Sequence, residues 1–236
     1  MGFATVSENF DFLMKGLQVT LSLSAISITL SLMFGTVLGV LRYSKLFPLN
    51  YISAAFIEIT RSIPLLLYII FVHYTFSPLL LEHVSLSAIL GTSSLEFQSA
   101  CIALTLFTSA YVAEIIRGGL KSIERGHIDA AKSLGLNYFQ RLVYIILPLA
   151  IARMMPALVS QFISLIKDTS LASAIALIEL TRAGEIIYER THNEFEILVF
   201  VAFVYFVICF GLSVISRNFE TKPFVFSRFK YLFTQN

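Results

Sequence analysis

Polar side chains accumulate inside one otherwise apolar stretch of the chain, between residues 149 and 171. The side chains there that could contact a small polar solute are Gln161, Ser164, Asp168, Thr169 and Ser170. A carboxylate in a low-dielectric site holds an ammonium group by a charge-assisted hydrogen bond, so Asp168 is the candidate contact for a zwitterion. Two structural alternatives stay open, because Asp168 could instead pair with Lys167 or cap the segment that follows. Adjacent helical residues do not face each other, which weakens the pairing alternative.

The chain contains none of the compact motifs that carry catalysis or nucleotide binding. No glycine is followed by lysine, so the phosphate loop G-x-x-x-x-G-K-[ST] is absent, as are H-E-x-x-H and G-x-S-x-G. The four histidines fit no metal-ligand spacing, and the two cysteines lie in apolar runs outside any C-x-x-C pair. Basic residues are not interleaved with aromatic ones on a soluble surface, which argues against nucleic-acid binding. The sequence therefore predicts neither an enzyme nor a metal or cofactor site on this chain.

The composition indicates an integral membrane protein. Apolar residues make up 57% of the 236 residues and charged residues only 14%. Five stretches approach the ~20 residues that a helix needs to cross a hydrocarbon core ~30 Å thick. These spans are predicted at about 16–41, 62–81, 97–116, 149–168 and 197–215. We expect an all-α membrane protein with about five transmembrane helices embedded in the lipid bilayer.

The segments around these spans can be assigned to two sides of the membrane. Residues 1–15 carry Phe3, Val6, Phe10 and Leu13 at helical spacing, which predicts a short amphipathic leader on the outer surface. With the N-terminus outside, 13 of the 17 lysine and arginine residues fall in inner segments, including the loop 117–148 and the tail 218–236. This asymmetry predicts an outer N-terminus and a cytoplasmic C-terminus.

Charged residues, a proline, a histidine and small residues in or next to the spans predict an ion pair, a kink and contacts between helices. Glu58 and Arg61, just before Pro64, are close enough to pair at the inner mouth as a gate or a structural contact. Pro156 removes a backbone hydrogen bond and predicts a kink in the fourth span. His73 lies on a span, where an ionisable group is a functional candidate, although an interhelical hydrogen bond is the favoured interpretation. Small and hydroxylated residues in the first span, with a G-x-x-x-G pair, predict close helix packing.

A short polar segment between the third and fourth spans has the signals of an independent helix. Gly126 is predicted as its N-cap, Asp129 places negative charge near its positive end, and Gly135 can adopt the left-handed C-cap conformation. The side chains expected to form a docking surface are completed by Ala130, Ala131 and Leu134. The alternative is an ordinary connecting helix. Because the segment lies in the predicted cytoplasmic loop, we expect it to contact a soluble partner.

The same segment resembles the "EAA" loop of ABC-importer permeases. In that loop E-A-A is followed by Gly four residues later, and by I-x-L-P ten residues further on. Ala130, Ala131 and Gly135 match it, as does the run 145–148, while Asp129 replaces the Glu. The runs T-R-S-I-P-L-L at 60–66, A-Y-V-A-E-I-I-R-G-G-L at 110–120, K-D-T-S-L at 167–171 and E-L-T-R-A-G at 179–184 resemble the polar amino-acid branch. The likeness covers roughly residues 12–217.

The resemblance implies a type I importer fold and a set of partners. A five-helix permease would pair with a second permease, identical or related, and dock two ATP-binding subunits that carry ATP and Mg. A substrate-binding protein would deliver an amino acid, which alternating access would move across the bacterial inner membrane. The competing hypotheses are a passive channel or an ion-coupled secondary transporter, for which the sequence shows neither a filter nor inverted repeats. A third hypothesis is a scaffold whose loop docks a protein other than an ATPase.

Overall fold

The computed structural model describes residues 4–44, 46–76 and 94–220, with side chains described as far as Ser216. This part of the chain is helical and contains no strand. Its α-helices are α1 (Ala4–Glu8), α2 (Phe10–Tyr43), α3 (Leu49–Ser62), α4 (Leu65–Phe71), α5 (Leu95–Lys121), α6 (Arg125–Ser133), α7 (Tyr138–Arg141), α8 (Leu147–Asp168), α9 (Leu180–Thr191) and α10 (Glu194–Glu220). A π-helical turn at Val72–Phe76 extends α4, another at Leu142–Ile146 joins α7 to α8, and a 3-10 turn at Thr169–Ile175 extends α8.

Four continuous helical segments in the described residues are long and apolar enough to cross a membrane. They are Phe10–Tyr43, Leu95–Lys121, Tyr138–Ile175 and Glu194–Ser216. The pair Leu49–Ser62 and Leu65–Thr75 also qualifies if the two helices, which meet at 107°, count as one span. The all-α membrane fold with about five spans is thus confirmed.

The bend between α3 and α4 has a local cause. Ile63 is extended, at φ −99° and ψ 134°, because a residue that precedes a proline is disfavoured in the helical conformation. Pro64 is the N-cap of the next helix, α4, and its carbonyl accepts from the N–H of Tyr68 at 3.0 Å. The predicted second span, 62–81, therefore starts at this break, and its last residues, 77–81, lie outside the described part of the chain.

The amphipathic leader differs from the prediction in extent and in environment. The helix α1 is only five residues long, and α2 already begins at Phe10, so the predicted boundary after residue 15 falls inside α2. Val6 and Leu13 are buried against α9 and α10, and the Val6 N–H donates to Glu196 Oε1 at 3.0 Å. Val6 and Leu13 thus pack on protein rather than on the membrane surface, whereas Phe10 is 47% exposed and Phe3 lies outside the described residues.

The centre of the fold is the contact between α2 and α5. A Cβ added to Gly35 would lie 2.7 Å from the Cβ of Val112, and one added to Gly39 would lie 2.6 Å from the carbonyl oxygen of Ala113. No side chain fits at either position, so the two glycines let the backbones approach closely. The G-x-x-x-G pair therefore serves packing within this chain.

The candidate spans that contain α8 and α10 bury few of their side chains, whereas α5 is largely buried. Large apolar groups such as Phe203, Phe206 and Phe210 lie on the exposed face of α10. The helix α8 runs from Leu147 to Asp168 through Pro156, so the predicted kink does not interrupt it. The irregular turn lies instead at Leu142–Ile146 and ends two residues before Pro148, which has no N–H to donate.

Candidate functional site

The predicted docking helix exists as α6, but its N-terminal end begins at a different residue than predicted. Glu124 is the N-cap, so Gly126 lies inside the first turn and the N-cap prediction was wrong. Asp129 sits in the middle of the helix, away from its positive end, and accepts a hydrogen bond from Lys132 Nζ at 2.8 Å. This hydrogen bond holds the pKa of the Asp129 carboxyl below its usual range. The predicted interaction of Asp129 with the helix dipole is therefore replaced by a surface ion pair.

The C-terminal end of α6 agrees with the prediction. Gly135 has φ +75°, and its N–H donates to the carbonyl of Lys132 at 2.9 Å. The N–H of Leu136 donates to the carbonyl of Ala131 at 3.2 Å, which completes a Schellman motif. A glycine is favoured here because residues with a Cβ are strained at positive φ.

The two alanines of α6 differ in exposure. Ala131 is only 2% exposed, whereas Ala130 is exposed, so one alanine anchors the helix to the bundle and the other remains on the surface. Leu134, Tyr138 and Phe139 are each at least 70% exposed. Asn137 caps α7 through a reciprocal pair of 2.9 Å hydrogen bonds with Gln140, which fixes this aromatic corner beside α6. The exposed surface of α6 and α7 is therefore rigid and unusually apolar for a solvated loop.

A cluster of charged residues connects three helices at the end of the bundle that carries α6. Glu114 contacts Arg42 at 2.5 Å, Arg117 at 2.8 Å and Arg61 at 4.0 Å. Glu58 contacts Arg42 at 2.6 Å, and the guanidinium of Arg61 lies 5.1 Å from the ring centroid of Tyr111. The cluster ties the end of α2 to α3 and to the part of α5 that leads into α6.

The predicted pair of Glu58 with Arg61 is therefore wrong in its partners. Both residues belong to the cluster, but Glu58 binds Arg42 and Arg61 approaches Glu114. Sequence reasoning missed Arg42 and Glu114 because their contact joins distant parts of the chain. The only local signal was the spacing of Glu114 and Arg117, which places them on one helical face.

The predicted polar residues of the fourth span lie on α8 and on the 3-10 turn that extends it, and their polar groups do not form one site. Thr169 is fully buried and donates to the carbonyl of Ile166 at 2.7 Å, so its hydroxyl is not free for a solute. Ser164 and Ser170 donate to backbone carbonyls one turn earlier, at 3.1 and 2.7 Å, and Gln161 is half-buried. Asp168 is half-buried and makes no capping hydrogen bond to the 3-10 turn that follows. The capping alternative for Asp168 is thus not realised in this structure.

The motif E-L-T-R-A-G forms a buried polar junction. Glu179 is fully buried at the start of α9, where its carboxylate accepts from the N–H groups of Thr181 and Arg182, both at 2.9 Å. The hydroxyl of Tyr205 donates to Glu179 Oε2 at 3.0 Å, and that of Thr20 lies 3.4 Å away. Burial raises the pKa of the Glu179 carboxyl, while these donors oppose the shift. One side chain thereby joins α2, α9 and α10.

The small residues of the same motif serve the same junction. A Cβ added to Gly16 would lie 2.8 Å from the Cβ of Ala183, and one added to Gly184 would lie 2.9 Å from a methyl group of Val201. Larger residues at these positions would push α9 away from α2 and α10. The polar and small residues of E-L-T-R-A-G therefore fix the helix α9 between two spans.

Two open cavities adjoin this junction between α8, α9 and α10. One has a volume of about 430 Å³ and is lined by Lys167, Ser170, Thr181, Leu198 and neighbouring groups of α10. The other has about 400 Å³ and extends along α10 to Cys209 and Phe210. Lys167, Ala202 and Tyr205 line both cavities. The charge count placed Lys167 outside the membrane, but it lies beside the middle of the α10 span.

His73 occupies a buried position near the opposite end of α5. Its Nδ1 is 2.7 Å from the hydroxyl of Ser99, and that hydroxyl donates to the carbonyl of Leu95 at 2.6 Å. The Ser99 oxygen therefore accepts from His73, which assigns the Nδ1–H tautomer. This contact joins the end of α4 to α5 and is the interhelical hydrogen bond favoured by the sequence.

Comparison with known proteins gives consistent matches over nearly the whole chain. Residues 27–224 match the family described as "Binding-protein-dependent transport system inner membrane component". The chain is 43% identical over 219 residues to the probable glutamine ABC transporter permease protein GlnP of Bacillus subtilis, covering 91% of this chain and 95% of that protein. It is 34% identical to the glutamate/aspartate import permease protein GltK of Escherichia coli O6:H1, covering 90% and 94%.

Solved structures agree with these sequence matches. A crystal structure of an amino acid ABC transporter with histidines superposes with a TM-score of 0.80 at 29% identity, covering 94% of this chain and 98% of that one. An inward-facing structure of the MetNI methionine ABC transporter superposes with a TM-score of 0.69 at 22% identity, which supports the fold alone. The helical arrangement described above is therefore that of type I ABC-importer permeases.

Proposed function

Since the chain belongs to the family of binding-protein-dependent transport system inner membrane components, we propose that it is the permease through which an ATP-driven importer moves a polar amino acid. The relatives named for glutamine and for glutamate/aspartate align over nearly their full length, which supports this substrate class. The observation that carries the coupling role is the rigid, exposed surface of α6 and α7. Its apolar groups, with Ala130 and the Schellman-capped Gly135, offer a soluble ATPase a preformed contact.

The proposed mechanism divides the work between subunits. Two ATP-binding subunits carry ATP and Mg, and their closure moves α6 of each permease. The charged cluster around Glu114 links the helix leading into α6 with α2 and α3, so a displacement of α6 is passed to the bundle. The bundle then alternates between inward-open and outward-open states, without chemistry on this chain. A substrate-binding protein delivers the amino acid on the side where the N-terminus lies, and α6 and the C-terminus face the cytoplasm.

The experiment that tests this function expresses the chain with and without the genes that neighbour it. Alone, the purified chain should bind and hydrolyse no ATP. Together with an ATPase and a binding protein, it should co-purify with the ATPase and support ATP-dependent uptake of one labelled polar amino acid. Uptake that persists without the ATPase, driven by an ion gradient or by the substrate gradient alone, would contradict the proposal.

A further inference from the structure

Arg153 is an isolated charge in the helix α8. Between Leu147 and Ile166 this helix carries no other charged side chain. At ~1.5 Å of rise per residue, Arg153 lies about 9 Å along α8 from Leu147, in the half of the helix that follows the loop of α6. A charged group within a membrane span is costly, and it usually has a specific partner.

The partner of Arg153 is the last residue of another helix. Its Nη1 donates to the carbonyl oxygen of Ser122, which is the C-cap of α5. The N–H and the hydroxyl of Ser122 donate to the carbonyls of Gly118 and Gly119, at 2.9 and 2.7 Å, so Ser122 is fixed to the last turn of α5. The C-terminal end of a helix has unpaired carbonyls and a partial negative charge, and both favour a guanidinium.

The two helices are also packed against each other beside this contact. A Cβ added to Gly119 would overlap the side chain of Met154, so the backbone of α5 lies directly against α8. Met154 and Ala150 are buried in the same core cluster as Ile123, the residue that follows Ser122. The end of α5 and the first turns of α8 are therefore held together by apolar packing as well as by Arg153.

The turn that Arg153 holds leads directly into α6. Ser122 accepts the hydrogen bond from Arg153, Ile123 is buried, and Glu124 is the N-cap of α6. Three consecutive residues thus fix where α6 begins, and one of them is fixed from α8.

The other end of α6 is held from the same helical segment. The guanidinium of Arg141 donates to the carbonyl of Leu136, just after α6, at 3.0 Å. Arg141 and Arg153 both lie in the continuous segment Tyr138–Ile175. The contact of Arg141 joins neighbours in the chain, whereas the contact of Arg153 joins residues 31 positions apart.

We propose that Arg153 is a positioning residue that locks the entry of α6 to α8, so that a movement of α6 is passed directly to this span. The inference rests on the proposed function, because the ATP-binding subunits are what move α6. The charged cluster around Glu114 connects the same part of α5 to α2 and α3, and Arg153 adds a connection to α8. Because the contact is exposed, its loss should cost little stability and should show mainly in coupling.

The test uses the full complex of permease, ATP-binding subunits and substrate-binding protein in proteoliposomes. The measured quantity is the number of ATP molecules hydrolysed per amino acid taken up, which does not depend on how much complex assembles. The variants are Arg153→Met, which removes every donor, and Arg153→Lys, which keeps one charged donor group. The control Lys121→Met removes another exposed cation at the same end of α5, one residue before Ser122.

In Arg153→Met the ATP hydrolysed per amino acid should rise about fivefold or more, which is the lower end of usual coupling effects. Arg153→Lys should give an intermediate ratio, because an ammonium lacks the planar fork of the guanidinium, and Lys121→Met should match the wild type. A wild-type ratio in Arg153→Met would overturn the inference. So would a lower unfolding midpoint with an unchanged ratio, the result expected if Arg153 only stabilises α5. If Arg153→Met does not assemble, Arg153→Lys decides, since a raised ratio supports the inference and a wild-type ratio overturns it.

A cross-link tests whether the turn before α6 and the helix α8 move together. In a chain with Cys101→Ala and Cys209→Ala, the double variant Ser122→Cys and Arg153→Cys is joined by a bis-methanethiosulfonate reagent as long as the arginine side chain. The link should bring the ratio back towards that of the wild type, because it restores the connection lost with Arg153. A link that stops uptake would show that the two parts must separate during transport, which contradicts the inference.

These outcomes are distinguishable from failure of the proposed function. A wild-type complex that takes up no amino acid with ATP would contradict the importer assignment, and the positioning role with it. A coupled wild type with an equally coupled Arg153→Met leaves the importer assignment intact and removes only the role of Arg153.

Discussion

Three carboxylates of this chain have very different surroundings. Glu114 contacts three guanidinium groups, whereas Glu179 is fully buried and held by backbone and hydroxyl donors. Asp168 is half-buried and makes no hydrogen bond or salt bridge with the described residues. The same change from carboxylate to amide should therefore have a different effect at each position, because the charge has a different partner in each.

Replacing Glu114 with Gln should destabilise the protein and weaken coupling. Loss of the shared carboxylate leaves Arg42, which is 17% exposed, with Glu58 as its one remaining carboxylate partner among the described residues and removes the ion pair of Arg117, a loss of about 1–3 kcal/mol. The thermal unfolding midpoint of the complex in detergent should fall, and ATP-driven uptake should fall with it. The matched control is Glu58→Gln, which removes a 62%-exposed partner of the same arginine and should cost about 1 kcal/mol or less. Equal effects of the two variants would contradict a central role for Glu114.

Replacing Asp168 with Asn tests its predicted contact with the substrate ammonium. Because Asp168 caps nothing in the structure, the amide should leave the fold and the abundance in membranes unchanged. Uptake of the amino acid should fall, since the amide carries no charge to hold an ammonium group. Asp11→Asn, at an exposed carboxylate of α2, is the control and should have no effect. Unchanged uptake kinetics in Asp168→Asn would remove the residue from the substrate path.

At the scale of elements, short-range geometry decides how α6 is held and how α2 meets α5. The helix α6 is closed by a Schellman motif and anchored through Ala131, so its exposed side is presented in one orientation. The helices α2 and α5 approach so closely that glycine is required at two positions of α2. Both features depend on glycine. At the end of α6 the missing side chain permits a left-handed backbone conformation, and between α2 and α5 it leaves space for close packing.

Replacing Gly135 with Val should impair coupling without affecting membrane insertion. Valine is strained at φ +75°, so the end of α6 should fray or rotate, at a cost of about 1–3 kcal/mol. ATPase co-purification and uptake should both decrease. Gly118→Ala is the control, because a Cβ there meets nothing within 4 Å and the residue has no left-handed conformation. Normal uptake in Gly135→Val would show that α6 is not the coupling element.

Replacing Gly35 with Ala should reduce the stability of the bundle. The added methyl group would lie 2.7 Å from the Cβ of Val112, and such overpacking costs about 1–3 kcal/mol. The thermal unfolding midpoint in detergent should fall. The same change at Gly211, where a Cβ meets nothing within 4 Å, should be neutral or slightly stabilising because alanine is the better helix former. A Gly35→Ala protein as stable as Gly211→Ala would contradict the close α2–α5 contact.

For the whole molecule, a single chain leaves large apolar side chains of α8 and α10 uncovered by its own helices. The spans that contain α8 and α10 are the least buried, and the cavities around Lys167 open on this side. A single chain also carries one predicted docking surface, on α6 and α7, whereas the proposed transporter has two ATP-binding subunits. Both observations support a symmetric or pseudo-symmetric assembly, in which α8 and α10 face lipid or a second permease.

The assembled transporter should accordingly contain two permease chains for two ATPase chains. Native mass measurement of the complex, released from detergent, gives the count directly, since this chain contributes 26.4 kDa per copy. The two permeases should be either identical or related in sequence. A functional complex with one copy of this chain and no related permease would contradict the prediction.

Features that depend on local properties were predictable from the sequence alone. The membrane spans follow from length and hydropathy, which are properties of contiguous residues. The end of α6 at Gly135 follows from the freedom of glycine at positive φ, and the break before α4 follows from Pro64. For the same reason the all-α fold and the docking helix were predictable.

Contacts between distant parts of the chain became visible only once the helices were packed together. Glu114 binds Arg42, and the predicted pair of Glu58 with Arg61 does not form. Glu179 joins α2 to α10. These contacts depend on how separate helices pack. The N-cap of α6 is Glu124 and not the predicted Gly126. The residue directly before Glu124, Ile123, is buried in the same core cluster as residues of α5, so tertiary packing holds the turn that precedes α6. The charge count predicts that Lys167 lies outside the membrane, and only the packing of α8 beside α10 shows that it lies next to Tyr205, in the middle of the α10 span. Pair contacts between helices carry no local signature, whereas spans and helix ends do.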